Sequence, residues 1–277
     1  MRMSSVLGEM APPSGSAEFL RRARGVVAHV RASHGFARRS APLLTPPSGN
    51  QKLGKSVLPT YGLSLAPAAS GGWNVCPWST VLCRAGCLAT AGRARSFPSI
   101  IRARLWRTEM LATYGEAFMA LLVHEVGLAV RRHGRIGLRL NVLSDIEWEV
   151  AAPWLFDMFG DAVVFYDYTK APIGHRTVPA NYHLTYSVTE RWSWDDVAEA
   201  VGSGHQVAVV VDVSKKSAVP ETFCGVVAVD GDLSDQRWDD GAVAVLLRSK
   251  GELVGTRGAG DGFVKPSGWC QSALTAV

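Results

Sequence analysis

The chain has 277 residues, 47% of them hydrophobic and 19% charged, an ordinary globular balance with ample length for one large core. No apolar run reaches the roughly 20 residues that a membrane-crossing helix needs, and the opening MRMSSVLGEMAPPSGS lacks the apolar stretch of a secretory leader, which argues against a membrane partner and against export. The net charge of +5 is uneven: residues 1–55 carry nine Lys/Arg against Glu9 and Glu18, so this stretch is near +7 and the remainder near −2.

Residues 1–15 are rich in Ser, Gly and Pro and read as disordered. A short basic helix is expected over 17–33, where Phe19, Leu20, Val26, Val27 and Val30 recur at helical spacing, and SAPLLTPPSGN (40–50) reads as a Pro-rich linker. The predicted organisation is a largely flexible basic arm over 1–48, a cysteine-loop plus α/β domain over 49–265 and a tail over 266–277. A basic arm beside a near-neutral body suits phosphate tracking, so nucleic acid is a candidate partner through the arm; a solubilising tail is the competing reading.

Short apolar pieces broken by Pro and Gly occupy 51–75 and read as extended. After the cysteines, residues 98–133 predict a helix pair broken near Gly115, with a stop at Arg131-Arg132-His133-Gly134. Strands are expected over 135–144, 162–169, 182–188, 206–213, 225–231 and 242–249, with helices over 147–160 and 193–204, the second capped by Ser193. Val-rich strands apolar on both faces, alternating with helices, predict a mostly parallel sheet. The expected fold is α/β, an irregular or incomplete (β/α) barrel, because several connections are too short for a helix. Polar residues gather at the carboxyl ends of successive strands, among them Asn141, Ser144, Asp145, Thr169, Lys170, Ser187 and Asp232. Ligands bind at that edge in parallel α/β folds.

The cysteines carry the sharpest signal. Cys76, Cys83 and Cys87 follow a C-x6-C-x3-C pattern, and clustered thiols in a reducing compartment point to metal or redox chemistry. Pro77 keeps Cys76 extended, and Gly86 admits an unusual backbone angle before Cys87. Soft thiolates select zinc, Cu(I) or iron–sulfur clusters. Structural zinc generally uses paired hooks and four protein ligands, whereas one unpaired triple suits a four-iron cluster with one open iron. Cys270 is the favoured fourth ligand, with Cys224 as the other choice and a buried thiol as its plain reading. Zinc, and no metal at all, stay as alternatives.

Asn50-Gln51-Lys52-Leu53-Gly54-Lys55, the cysteine triple, Arg139-Leu-Asn-Val-Leu-Ser144-Asp145, Tyr166-Asp-Tyr-Thr-Lys170 and Val229-Asp-Gly-Asp232, in that order, resemble the successive blocks of the phage-encoded gene product 88 family, over about residues 50–265. The layout is also similar, more distantly, to that of radical-SAM-type iron–sulfur proteins, although their usual C-x3-C-x2-C spacing is not kept. The resemblance implies a phage or prophage source, hence the cytoplasm of a bacterial host, and S-adenosylmethionine as a possible cofactor.

The expected function is an iron–sulfur protein, leaning towards an enzyme, that uses an open cluster iron on a nucleic-acid or nucleotide-related substrate. Cys76, Cys83, Cys87 and Cys270 are the expected metal ligands. Asp145, Lys170, Ser187 and Asp232 are the expected catalytic or positioning groups, and Asn50, Lys52, Asn141, Ser144 and Thr169 the expected cofactor contacts. The alternative is a non-catalytic nucleic-acid-binding or host-interaction protein in which the metal is structural. Gly49 to Ser56 matches the G-x4-G-K-S phosphate loop, but the Pro-rich approach and Pro59 argue against the strand and helix that loop needs.

Overall fold

A computed structural model of the chain describes residues 9–49, 56–90, 96–250 and 262–266. Helix α1 spans Ala17–Ser33, as the apolar spacing predicts. Ser16 starts it by accepting a hydrogen bond from the Phe19 N–H, and Glu18 and Arg31 complement the dipole at its two ends. Leu20, Ala23, Val27 and Val30 form one buried stripe. That stripe packs against two later helices, α3 (Pro98–Thr113) and α4 (Gly115–His133). Burial of Leu20, Val27 and Val30 stabilises by about 1.5–3 kcal/mol each. Over α1 the basic segment is therefore anchored in the core. Its apolar periodicity outweighs its charge, and Arg21, Arg22 and Arg24 simply occupy the exposed side.

The Pro-rich segment after α1 is also held down. Glu125 of α4 accepts the N–H groups of Leu43 and Leu44, each at 2.9 Å. This orients strand β1 (Leu44–Thr45) antiparallel to β2 (Thr60–Leu63). Helices α3 and α4 meet at Tyr114, and Gly134 ends α4 at φ 76°, a conformation that glycine enters without a steric penalty.

The remaining strands are β3 (Ile136–Arg139), β4 (Val163–Thr169), β5 (Tyr182–Ser187), β6 (Gln206–Val211), β7 (Thr222–Phe223), β8 (Val226–Asp230) and β9 (Ala244–Arg248). They form one sheet in the order β1-β2-β3-β4-β5-β6-β9-β8-β7. Every pair from β2 to β8 is parallel, and the outermost pairs are antiparallel. Among the described residues nothing joins β1 to β7, so the expectation of a barrel is replaced by an open, mostly parallel sheet. Strands β4 and β6 are buried almost throughout, as their Val-rich composition requires.

The helix expected over 147–160 is two short ones, α5 (Trp148–Ala151) and α6 (Trp154–Phe159). Pro153 causes the break, because its ring disfavours the helical region for the residue before it, and Ala152 sits at φ −151°. Helix α7 (Trp194–Gly202) opens with a full capping box in which Ser193 and Asp196 satisfy each other's backbone N–H groups. Because the seven parallel strands run the same way, their carboxyl ends share one edge of the sheet.

Candidate functional site: a thiol-lined cavity at the carboxyl edge of the sheet

The cysteine segment lies in the connection that leaves β2. The Asn74 side chain accepts the Cys76 N–H at 3.0 Å. The Cys76 sulfur accepts the Ala68 N–H at 3.3 Å and donates to the Leu143 carbonyl at 3.4 Å. Thr80 then caps a short helix, α2 (Val81–Ala85), accepting the Cys83 N–H at 3.1 Å while its hydroxyl donates to Glu190 at 2.7 Å. Cys83 thus sits on a helical turn rather than in an open loop. Gly86 follows at φ −92°, so the unusual angle expected there is absent and the helix cap alone aims Cys87.

Cys76, Cys83 and Cys87 are all partly buried and stand outside any disulfide. They line one cavity of about 220 Å³. Its other walls come from the carboxyl ends of β3, β4, β5 and β9: the loop Asn141–Asp145, then Tyr168 and Lys170, then Ser187, then Arg248 and Lys250. The strand-end residues and the cysteines therefore converge. Burial pushes the Cys76 thiol up to about 12; the nearby Asp145 and Cys87 charges push the same way, and the Ala68 N–H and Lys170 oppose them. Burial also raises Cys87, against the Ala89 N–H, Lys170 and Arg104. Burial thus favours the neutral thiol at both positions. Among the described residues no three His, Cys, Asp or Glu side chains lie close enough to hold a single metal ion.

The residues expected to meet a substrate separate into two groups. Asn141, Ser144 and Asp145 are buried and heavily engaged. The Asn141 side-chain oxygen accepts from the Ser144 hydroxyl at 2.7 Å and the Ile146 N–H at 3.0 Å, and its amide nitrogen donates to Ile146 and Asp167. Asp145 accepts the Lys170 N–H at 2.8 Å, and its own N–H donates to Val75, which latches the β3 loop to the cysteine segment. Burial raises Asp145, against the Lys170 N–H, the Lys170 charge and Arg176. Thr169 is enclosed and accepts the Ala171 N–H at 3.0 Å. Asn141, Ser144 and Asp145 thus form a cavity wall held by its own hydrogen bonds, with Thr169 outside the lining.

The second group faces the cavity. Ser187 and Lys170 line it directly. The Lys170 ammonium lies 6.0 Å from the Phe263 ring and, among the described residues, has no hydrogen bond or ion pair. Asp232 stands behind this wall, accepting from the Arg248 N–H at 3.1 Å and from Lys250 Nζ at 2.6 Å, and so positions both cations. Asp230 pairs with Arg248, and Asp235 with Arg139 and the Tyr166 hydroxyl, so both carboxylates are neutralised within the fold. Asn50, Lys52 and Cys270 lie outside the described residues. Cys224 is disulfide-bonded, which removes it as a thiolate ligand.

Two buried charge systems were not anticipated. Arg139 of β3 lines the cavity, pairs with fully buried Asp235 at 3.2 Å and stacks over Tyr168 at 4.5 Å. Asp167 of β4 is enclosed by Asn141 and the Tyr182 hydroxyl, and burial pushes it up to about 7. Arg176 joins the systems through Glu149, Asp145 and Tyr182. A charge inside an otherwise apolar strand was the available signal, since such a charge stays buried only with a partner.

The fold and cavity define an α/β protein whose mostly parallel sheet presents thiols and cations together at its carboxyl edge. The family model described as Gene product 88 matches residues 37–266, and the chain belongs to that family, as the order of its sequence blocks implied. No curated protein and no solved structure matches the chain. Helix α1 lies ahead of the matched span yet packs into the same core.

Proposed function

We propose that the protein holds an iron–sulfur cluster on Cys76, Cys83 and Cys87 and acts as an enzyme on an anionic, nucleotide-related substrate. The observation that carries this reading is the convergence of three cysteines from one segment on a cavity walled by Lys170, Arg248 and Lys250. A cluster is preferred to a lone zinc because one unpaired triple lacks the second hook and fourth ligand of a structural zinc site, whereas a cluster takes each thiolate on a different iron. A cluster with one iron lacking a cysteine would supply Lewis-acid or electron-transfer chemistry.

The chain's own residues set the surroundings. Lys170 attracts an anionic group, Ser187 offers a hydroxyl, and Asp232 fixes the directions of Arg248 and Lys250. Asp145 holds the Lys170 backbone and the cysteine segment in register. The test is anaerobic purification with iron and acid-labile sulfide assays. Brown protein with matching iron and sulfide is expected, and Cys76→Ser, Cys83→Ser and Cys87→Ser should each lose most of the iron while far-ultraviolet dichroism is kept. Colourless protein carrying zinc without sulfide would overturn the reading.

A second reading rests on a different surface. Arg21, Arg22 and Arg24 share the exposed side of α1, a layout able to follow a phosphate backbone. In that reading α1, rather than the cavity, carries the interaction.

A further inference from the structure

A larger cavity of about 610 Å³ adjoins the thiol-lined one, and Lys170 lines both. Its walls belong to four segments that meet at the carboxyl edge of the sheet. The cysteine segment gives Trp78 and Thr80, the turn after β4 gives Lys170, the turn after β5 gives Thr189 and Trp192, and α7 gives Asp196 and Glu199. The volume lies within the range of small-molecule sites, about 300–1,000 Å³.

Two features of the walls narrow the ligand. First, Trp78 is rigidly placed. Its indole N–H donates to Glu147 at 2.9 Å, and the His175 ring packs edge-on at 4.5 Å between centroids. Trp192 is partly buried against the apolar cluster around β6 and α7, and its backbone N–H donates to the Thr189 carbonyl. Two indoles on one cavity, one of them held by a hydrogen bond, favour a flat aromatic ring that can stack on them. Second, charge is divided across the cavity. The turns after β4 and β5 carry the Lys170 ammonium and the Arg191 guanidinium, whereas the α7 side carries the carboxylates of Asp196 and Glu199. A ligand that fits is anionic at one end and rich in hydroxyl or amino donors along its body.

From these observations we infer that the larger cavity binds a nucleoside monophosphate unit. The base lies against Trp78 and Trp192, donors on the sugar or base face Asp196 and Glu199, and the phosphate sits on Lys170 at the opening into the cysteine cavity. This deepens the proposed function and rests on it only for chemistry, since nucleotide binding itself does not need a cluster. Lys170 would then act as a positioning residue that places the phosphate end of the unit next to Cys76 and Cys87.

The test is calorimetric titration of the full-length protein with the four ribonucleoside 5′-monophosphates and with the matching nucleosides, iron being measured on the same samples. At least one monophosphate should saturate the protein and bind about tenfold tighter than its nucleoside, as one charge-assisted contact implies. Lys170→Met should abolish that preference while leaving nucleoside binding in place. Trp192→Ala should weaken nucleotide and nucleoside alike by about fivefold or more, and Trp192→Phe should restore binding. Saturation by none of the monophosphates at millimolar concentration, or an unchanged phosphate preference in Lys170→Met, would overturn the inference. Iron-replete protein without nucleotide binding rejects this inference alone, whereas nucleotide binding by iron-free protein rejects the cluster alone.

Discussion

Replacing Arg176 with Met should unfold the centre of the molecule more readily than any surface change, because Arg176 neutralises two enclosed carboxylates at once. Its side chain is 0% exposed, and those of Glu149 and Asp145 are 6% and 7% exposed. The guanidinium donates to both Glu149 oxygens at 2.6 Å, to Asp145 at 3.4 Å and to the Tyr182 hydroxyl at 3.1 Å. Methionine keeps much of the aliphatic volume and removes all of the charge. Leaving a buried charge without its partner costs about 3–5 kcal/mol, and two stranded carboxylates place Arg176→Met in the upper half of that range at pH 7.

The loss carries its own pH signature. Burial already holds Asp145 above its ordinary value, and loss of the Arg176 charge moves it further up. An acid whose folded pKa is raised destabilises the fold above that pKa and ceases to do so below its unfolded value. Lowering the pH therefore relieves the variant, by about 1.4 kcal/mol for each proton taken up per pH unit. Urea denaturation of wild type and variant at pH 7 and pH 5, followed by tryptophan fluorescence, measures both quantities. A loss below about 1 kcal/mol at pH 7, or one that does not shrink at pH 5, would refute the view that Arg176 sustains a buried ionised pair.

Two further changes probe other parts of the fold. Asp167 is held at about 7 by burial, so wild-type stability should fall as the pH rises from its unfolded value near 4 through 7. Asp167→Asn should remove this slope and appear more damaging in thermal melts at pH 5 than at pH 8; equal effects at both would count against the assignment. Val27 of α1 is 0% exposed, and Val27→Ala should lower stability by about 1–2 kcal/mol if α1 is part of the cooperative core. An unchanged urea midpoint would instead mean that α1 unfolds separately.

Local sequence pattern was enough to locate much of the secondary structure. Helix α1, the helix pair on either side of Tyr114, the Ser193 cap and the buried Val-rich strands all follow from spacing and end signals within a few residues. The polar ends of these strands were also legible, and parallel pairing makes them share an edge. That is why sequence order alone groups Lys170 and Ser187 on one edge, where they share a cavity with the cysteines.

What local pattern could not supply was pairing between distant positions. Asp235 reaches Arg139 across 96 residues, and Asp167 meets Asn141 and Tyr182 from neighbouring strands. No periodicity records which carboxylate will neutralise which arginine, since such pairs are selected by the burial that packing imposes. The same holds for the insertion of β9 between β6 and β8 and for the open rather than closed sheet. It holds also for the roles of Asn141, Ser144 and Asp145, which tertiary packing assigns to shaping the cavity wall. Sequence alone thus determined the elements, the thiol triple and the edge on which a site would form. Only the tertiary structure decided which side chains spend their charge on one another, because that choice depends on burial and distance rather than on order along the chain.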